Sequence, residues 1–372
     1  MVARSGHQWQ ADARPGHQTA PGRSGWQADL RASIRDLPSL CRRLDLDPAL
    51  IAKGARAATL QALCAPPAWI DRIEPGNPDD PLLRQILPTA EETRSPPEFG
   101  PDPVGDLGAQ HSPGLLCKYP GRALLLVTGA CAIQCRYCFR RCFPFGASLN
   151  HRKRAKHAIE SIAARPDINE VILSGGDPLL LNDRSLDALL RALDGIGHLK
   201  RIRLHSRVPV ALPTRIEPQL CKLLARGRLQ RVLVVQTNHP RELDESTAVA
   251  LTRLSNAGIT LLNQSVLLRG VNDSHEVLQQ LSEELFALGV LPYYLHRLDR
   301  VAGSAHFDLP LATCVALTDA LRARLPGYLM PRVVTEEPGA ASKTPLEQSL
   351  QRHQSARDGS WRNRLADSPS QV

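Results

Sequence analysis

The chain has 372 residues, 42% of them hydrophobic, and a formal net charge of +9. No apolar run reaches the roughly 20 residues of a membrane-spanning helix, and no charged-then-apolar leader opens the chain, so neither a membrane protein nor a secreted one is expected. The basic residues are scattered and aromatics make up only 4%, which leaves no basic–aromatic platform for nucleic acid.

Residues 1–25 are rich in Gly, Gln, His, Arg and Pro without apolar periodicity, and are expected to form a disordered extension. From Trp26 the spacing of Leu30, Ile34, Leu37, Leu40 and Leu44 predicts helix, so residues 26–110 are read as an N-terminal helical subdomain with a Pro-rich connector. From Arg122 onward, strand-like and helix-like stretches alternate. Strands are expected at 122–128, 171–173, 202–205, 231–236, 260–264 and 292–296, with helices near 152–164, 185–194, 215–226, 241–256, 275–288 and 311–324. This α/β alternation implies parallel strands covered by helices, a partial (β/α)6 TIM-like barrel within residues 111–330. Residues 331–350 form a lysine-bearing segment, and the polar residues 351–372 are expected to be a disordered tail.

Functional groups in such sheets gather at the C-terminal strand ends. Each of the expected strands is followed there by polar residues. Cys131 follows the first, Ser174-Gly175-Gly176-Asp177-Pro178 the second, and His205-Ser206-Arg207 the third. Gln236-Thr237-Asn238-His239 follows the fourth, Asn263-Gln264-Ser265 ends the fifth, and His296 and Asp299 close the sixth. That distribution points to one active-site face.

Cys131, Cys135 and Cys138 are spaced C-x3-C-x2-C, and the chain's nine cysteines fit a reducing compartment and a metal centre better than a disulfide framework. Iron–sulfur clusters normally take four ligands. Three local thiolates would leave one iron open to bind and activate a ligand. The alternative is a structural zinc site with Cys142 as fourth ligand. Gly175 and Gly176 would let backbone approach a ligand closely, and Asp177 is suited to an ammonium group. Only seven of the 46 basic residues are lysines, so Lys343, in a small-residue loop between Pro338 and Pro345, stands out. Lysine can form a Schiff base with pyridoxal phosphate (PLP) where arginine cannot, although a solvated loop lysine reads equally well from these residues alone.

Taken together, Lys118-Tyr119-Pro120-Gly121-Arg122, Cys131 to Arg141, Ser174 to Pro178, Leu261 to Asp273, Pro292 to Asp299 and Ser342-Lys343-Thr344-Pro345 resemble the lysine 2,3-aminomutase family of radical S-adenosylmethionine (SAM) enzymes. Within it they look most like the bacterial branch that makes (R)-β-lysine for elongation factor P. The resemblance implies a barrel of the radical SAM type, with a [4Fe–4S] cluster on Cys131, Cys135 and Cys138 and SAM on the open iron. It places Ser174, Gly175, Gly176, Asp177 and Gln264 at SAM, and PLP on the catalytic Lys343 with Lys118 and Arg122 nearby. Arg140 would bind the substrate carboxylate, and Asp299 and Glu336 its distal ammonium. The implied activity is an isomerase that uses a 5′-deoxyadenosyl radical to move the amino group of free L-lysine from C2 to C3. Implied partners are an elongation factor P β-lysine ligase, elongation factor P itself and an electron donor such as flavodoxin or ferredoxin, in the cytoplasm, with self-association left open. Glu336 stands where catabolic relatives generally carry Asp, Gln236 where relatives often have His, and the cysteine-rich C-terminal extension of the catabolic enzymes is missing. The rival readings are an aminomutase of glutamate or arginine, a radical SAM enzyme acting on RNA or a peptide, and a zinc protein.

Overall fold

The computed structural model describes residues 25–145 and 151–357; of the expected extension over 1–25 all but Gly25, and of the tail residues 358–372, lie outside the described residues. Five helices come first: α1 (Trp26–Arg31), α2 (Leu37–Arg43), α3 (Ala49–Leu60), α4 (Pro67–Ile70) and α5 (Pro81–Arg84). The starts of α2 and α5 follow from their caps, since Asp36 accepts from the Ser39 amide and Asp80 from those of Leu82 and Leu83. Each such cap is worth about 1 kcal/mol. These helices close on a core of Leu40, Leu44, Trp69, Leu82, Leu83 and Ile86, which also takes in Ile133 from the cysteine loop and Val210 and Ala211 from the barrel. The subdomain is therefore packed onto the barrel through the cysteine loop.

Ten strands follow in chain order: β1 (Gln110–Ser112), β2 (Leu115–Leu116), β3 (Arg122–Thr128), β4 (Glu170–Gly175), β5 (Arg201–Ser206), β6 (Gln230–Val235), β7 (Thr260–Val266), β8 (Leu291–His296), β9 (Arg332–Thr335) and β10 (Thr344–Pro345). Each pairs with the next in one open sheet. β3 to β9 are parallel, whereas the β1–β2, β2–β3 and β9–β10 pairs are antiparallel. The crossovers carry α6 (His151–Ala163), α7 (Asp183–Asp194), α8 (Val208–Ala211), α9 (Pro218–Leu224), α10 (Glu245–Asn256), α11 (His275–Ala287) and α12 (Leu311–Arg322), and α13 (Leu346–Arg357) comes last. Among the described residues no helix is long and apolar enough to cross a membrane.

The expected six-unit barrel is present, with one strand more than the periodicity indicates. β9 is a seventh parallel strand, registered on β8 through Tyr294↔Arg332 and His296↔Val334. Its four residues are too few to display an alternation, and it is held instead by burial of Val333 and Val334. The tail expectation is also corrected, because residues 351–357 continue α13. Buried Leu346 joins a cluster with Leu321, Leu325 and Val333, and this anchored first turn starts the helix that continues through Arg357.

Successive strand residues face opposite sides. In β5, Ile202 and Leu204 are buried in the core shared with the outer helices, while Arg203 and His205 face the barrel interior. The same split sends Val171 and Leu173 outward from β4 and Ile172 and Ser174 inward. The lumen is thus polar and the helix-facing side apolar.

Candidate active site

At the C-terminal strand ends the lumen opens into a cavity of about 560 Å³. Every site residue expected from the sequence lines it: Lys118, Arg122, Cys131, Cys135, Cys138, Arg140, Ser174, Gly175, Gly176, Asp177, Gln264, Asp299, Glu336 and Lys343. Gln236 lines it too.

The cysteine loop follows β3 and is stitched to the N-terminal subdomain through its backbone. The Gln134 amide donates to the Cys64 carbonyl at 2.9 Å and the Arg136 amide to the Gln85 carbonyl at 2.9 Å. Arg136, fully buried, grips Glu92 with Nε at 2.8 Å and Nη2 at 2.6 Å. Its Nη1 donates to the Gln61 carbonyl, and Arg141 reaches the same Glu92 at 2.6 Å. A carboxylate facing two guanidiniums out of water is costly to break, about 3–5 kcal/mol when one partner is removed. This is what fixes the loop.

Burial, then the neighbouring Cys138, Asp177 and Cys135, hold the Cys131 thiol well above its ordinary range. Cys138 is pushed up to about 11 by burial and by Cys135. Burial is the first cause of both shifts and a neighbouring sulfur adds to each; a bound metal would favour the thiolate instead. Among the described residues no three His, Cys, Asp or Glu side chains converge as a single-ion site. Thiols that face one cavity without closing on one ion suit a cluster, whose ligands sit on separate irons.

The glycines after β4 are demanded by contact. Gly175 has φ +118° and a Cβ there would lie 2.4 Å from the Thr128 carbonyl oxygen; one on Gly176 would lie 2.1 Å from that of Ala130. The Gly176 and Asp177 amides donate to those two carbonyls at 2.7 and 2.8 Å. Asp177, expected to hold an ammonium, is otherwise engaged. Its Oδ1 accepts from the Leu179 amide and the Ser206 hydroxyl, and its Oδ2 from the amides of Arg207 and Val208. A carboxylate offers about four lone-pair sites, and all four are taken. Asp177 therefore ties the end of β4 to the end of β5 and is not free as an ammonium ligand.

The opposite wall holds the long charged side chains. β10 pairs back on β9 with Thr344 opposite Thr335, so the turn between them brings Lys343 onto Glu336. Glu336 also accepts from the Tyr119 hydroxyl at 2.7 Å and faces Lys118 at 3.5 Å. Burial opposes its charge, but Lys343, Tyr119 and Lys118 prevail and hold the carboxyl below its usual range. Lys118 pairs with Asp106 at 2.6 Å, and the other oxygen of Asp106 takes Arg140 Nε at 2.7 Å. Arg140 Nη1 donates to Ser174 at 3.0 Å, which links this wall to the glycine loop. Arg122 lies over the Tyr119 ring, 5.1 Å from its centroid. Asp299 is pushed up to about 7, chiefly by burial, with Lys343 working against the rise and Glu336 adding to it. The acid pair thus already faces one ammonium, that of Lys343.

Two imidazoles floor the lumen. His296 meets the Gln264 amide at 2.7 Å, and burial followed by Lys343 keeps it neutral. Burial and then Arg203, Lys343 and Arg140 do the same for His205, whose Nε2 has no partner among the described residues.

Sequence reasoning missed Asp106, Tyr119, Glu92 and Arg136 as site builders, and named Arg207 only among the polar strand ends. Arg136 and Arg141 carried a signal, since arginines flanking cysteines need an acid somewhere. Asp106 lies in a Pro-rich stretch with nothing local to mark it, and Glu92 carried only the spacing of a Thr89–Glu92 capping box, which marks a helix start and not a partner for two arginines.

Residues 125–281 match the Radical SAM superfamily. The chain is 46% identical over 333 residues to the L-lysine 2,3-aminomutase of Escherichia coli, covering 89% of this chain and 96% of that one. It is 42% identical over 319 residues to the enzyme of the same name from Haemophilus influenzae, covering 86% and 94%. Among solved structures, a radical SAM methyltransferase from Sphaerobacter thermophilus is similar at 21% identity and a TM-score of 0.42, over 59% of this chain and 68% of that one.

Proposed function

The chain belongs to the lysine 2,3-aminomutase family of the radical SAM superfamily, and on that premise we propose that it converts free L-lysine to (R)-β-lysine for the modification of elongation factor P. It is an isomerase whose cofactors are a [4Fe–4S] cluster, SAM and PLP. When bound, the cluster and SAM supply a carbon-centred radical, and PLP supplies a conjugated system for the migrating amino nitrogen.

The chain's own residues do the rest. Cys131, Cys135 and Cys138 hold the cluster, and the backbone of Gly175 and Gly176 with Gln264 flanks SAM. Lys343 would carry PLP, with Lys118 and Arg122 near it. Arg140, already braced by Asp106 and Ser174, receives the substrate carboxylate on its guanidinium. Asp299 and Glu336 receive the distal ammonium. The ion pair of Lys343 with Glu336 supports this reading, since an ammonium already sits on that carboxylate. With PLP held at Lys343, Glu336 would turn to the substrate ammonium. A diamino acid thus needs two acids at this wall, whereas glutamate would be repelled by them. The neutral His205 and His296 add no charge of their own to a lumen that already holds Arg203 and Lys343.

The observation that supports this reading most is that Lys343, the acid pair and three cysteines face one cavity. Support for the elongation factor P branch is Glu336, which resembles that branch rather than the catabolic one. Nine unpaired cysteines agree with a reducing, cytoplasmic setting. The test is anaerobic incubation of the reconstituted protein with SAM, PLP, a reductant and L-lysine, L-glutamate or L-arginine, with chiral resolution of the products. (R)-β-lysine from lysine alone is expected; the opposite enantiomer, or a β-isomer of another amino acid, would overturn the assignment. Adding the ligase and elongation factor P should give a β-lysylated factor. If synthetic (R)-β-lysine is accepted and the enzyme's product is not, the pathway role fails.

A further inference from the structure

We infer that Arg207 sets the reduction potential of the cluster, by donating a hydrogen bond from a charge-compensated guanidinium to the ligand sulfur of Cys135. This rests on the reading of Cys131, Cys135 and Cys138 as cluster ligands.

Arg207 follows β5 and caps α8, and its backbone amide is fixed by Asp177. Only 6% of the residue is exposed. Nη1 lies 2.7 Å from Cys135 Sγ and 2.7 Å from the Tyr137 hydroxyl, while Nη2 reaches Glu242 at 3.2 Å and also Gln85. The guanidinium plane lies against Trp69, 4.5 Å from the ring centroid. A planar fork with several fixed acceptors cannot turn away, and a lysine could not make these contacts together. Among the described residues, Cys135 is the one cysteine of the three whose sulfur accepts a hydrogen bond from a charged side chain.

One-electron reduction adds negative charge that spreads over the cluster and its thiolate sulfurs. A positively charged donor at one sulfur stabilises the reduced form more than the oxidised form and so raises the potential. Burial strengthens the effect, since little water screens it. Glu242, fully buried on the far side of the same guanidinium, works in the opposite direction. The pair therefore makes a signed prediction. Losing the arginine lowers the potential, and losing the glutamate's charge raises it. A merely structural role would move both variants the same way, toward cluster loss.

The experiment is an anaerobic redox titration of the SAM-free holoenzyme followed by electron paramagnetic resonance, each variant normalised to its own fully reduced signal so that loading does not enter. Arg207→Gln should lower the reduced-to-oxidised ratio at a fixed potential by about tenfold, which is about 59 mV for a one-electron couple. Glu242→Gln should raise it, and Arg207→Lys, which keeps the charge without the fork, should fall between Arg207→Gln and the unsubstituted protein. Unchanged potentials, or shifts of one sign in Arg207→Gln and Glu242→Gln, overturn the proposal. If Arg207→Gln retains no cluster, Arg207→Lys decides: a lowered potential supports the role, and an unshifted one ends it. Iron and sulfide analysis of the unsubstituted protein separates the two levels. Without a [4Fe–4S] cluster there, the reading of the cysteines itself fails; with one, only the role of Arg207 is at stake.

Discussion

At the cysteine end of the cavity the working side chains are short, and the scaffold around them does the placing. Backbone hydrogen bonds from the Gln134 and Arg136 amides, the Arg136–Glu92–Arg141 group and the close contacts of Gly175 and Gly176 leave the loop one conformation. At the Lys343 end the side chains are long and hold one another: Lys343 to Glu336, Lys118 to Asp106, Arg140 to Asp106. The first arrangement suits a centre that must not move, and the second suits groups that exchange an internal partner for a ligand. At that second end each carboxylate meets a cation of the chain itself.

Substitutions at the two ends should therefore fail differently. The largest effect is expected from Lys343→Ala, which should abolish turnover and visible PLP absorbance while iron and sulfide contents stay at the unsubstituted level; a variant that keeps full PLP-dependent turnover would remove the lysine end from the comparison. Next comes Glu92→Gln, which leaves two buried guanidiniums short of their anion. It should cost about 3–5 kcal/mol in denaturant unfolding and lower iron content, without changing KM for lysine in whatever fraction remains loaded.

Asp299→Asn should raise KM for lysine by about 10–100-fold, the worth of a hydrogen bond to a charged group at about 1.5–3 kcal/mol. Its pH dependence has a definite sign. Burial lifts the Asp299 carboxyl up to about 7, well above the unfolded value. A group raised in this way favours the folded, ligand-free protein below about pH 4 and loses that contribution as pH climbs through about 7. Ionisation is what the substrate ammonium needs, so lysine should bind more tightly as pH rises through the same window. Thermal unfolding with and without lysine across pH 4–8 checks both slopes, and Asp299→Asn should flatten them. Asp106→Asn should act more gently, raising KM for lysine by about tenfold as Arg140 and Lys118 lose a shared charged partner, with Asp106→Glu restoring part of it. The smallest effect belongs to Glu347→Ala, which breaks an ion pair to Arg322 with about half of each side chain exposed; unfolding should shift by under about 1 kcal/mol.

Legibility from sequence followed the same division. The cysteine spacing, the Gly-Gly turn and the βα alternation are local patterns, so they could be read directly. Lys343 was noticeable because lysine is scarce in the chain, yet no local feature ties it to Glu336; the β9–β10 turn does that, on a strand too short to announce itself. Asp177 was misread because its composition signals an acid beside glycines, whereas its four donors come from its own turn, from the end of β5 and from the start of α8 just after it. Glu92 and Asp106 were hard to see because their arginine partners lie far off in the chain, Arg136 44 residues from Glu92 and Arg140 34 residues from Asp106.

What the sequence determined by itself was the alternation of strands and helices, the polar strand ends and the three thiols in one short loop, because each depends on periods and spacings within a few residues. Only the tertiary structure decided which acids meet which bases. The pairing of Arg136 with Glu92, of Asp106 with both Lys118 and Arg140, and of Arg207 with Cys135 and Glu242 is set by how the N-terminal helices, the connector and the strand ends are brought together. Electrostatics in a buried site depends on distance in space and on exclusion of water, and neither is written in the order of the residues.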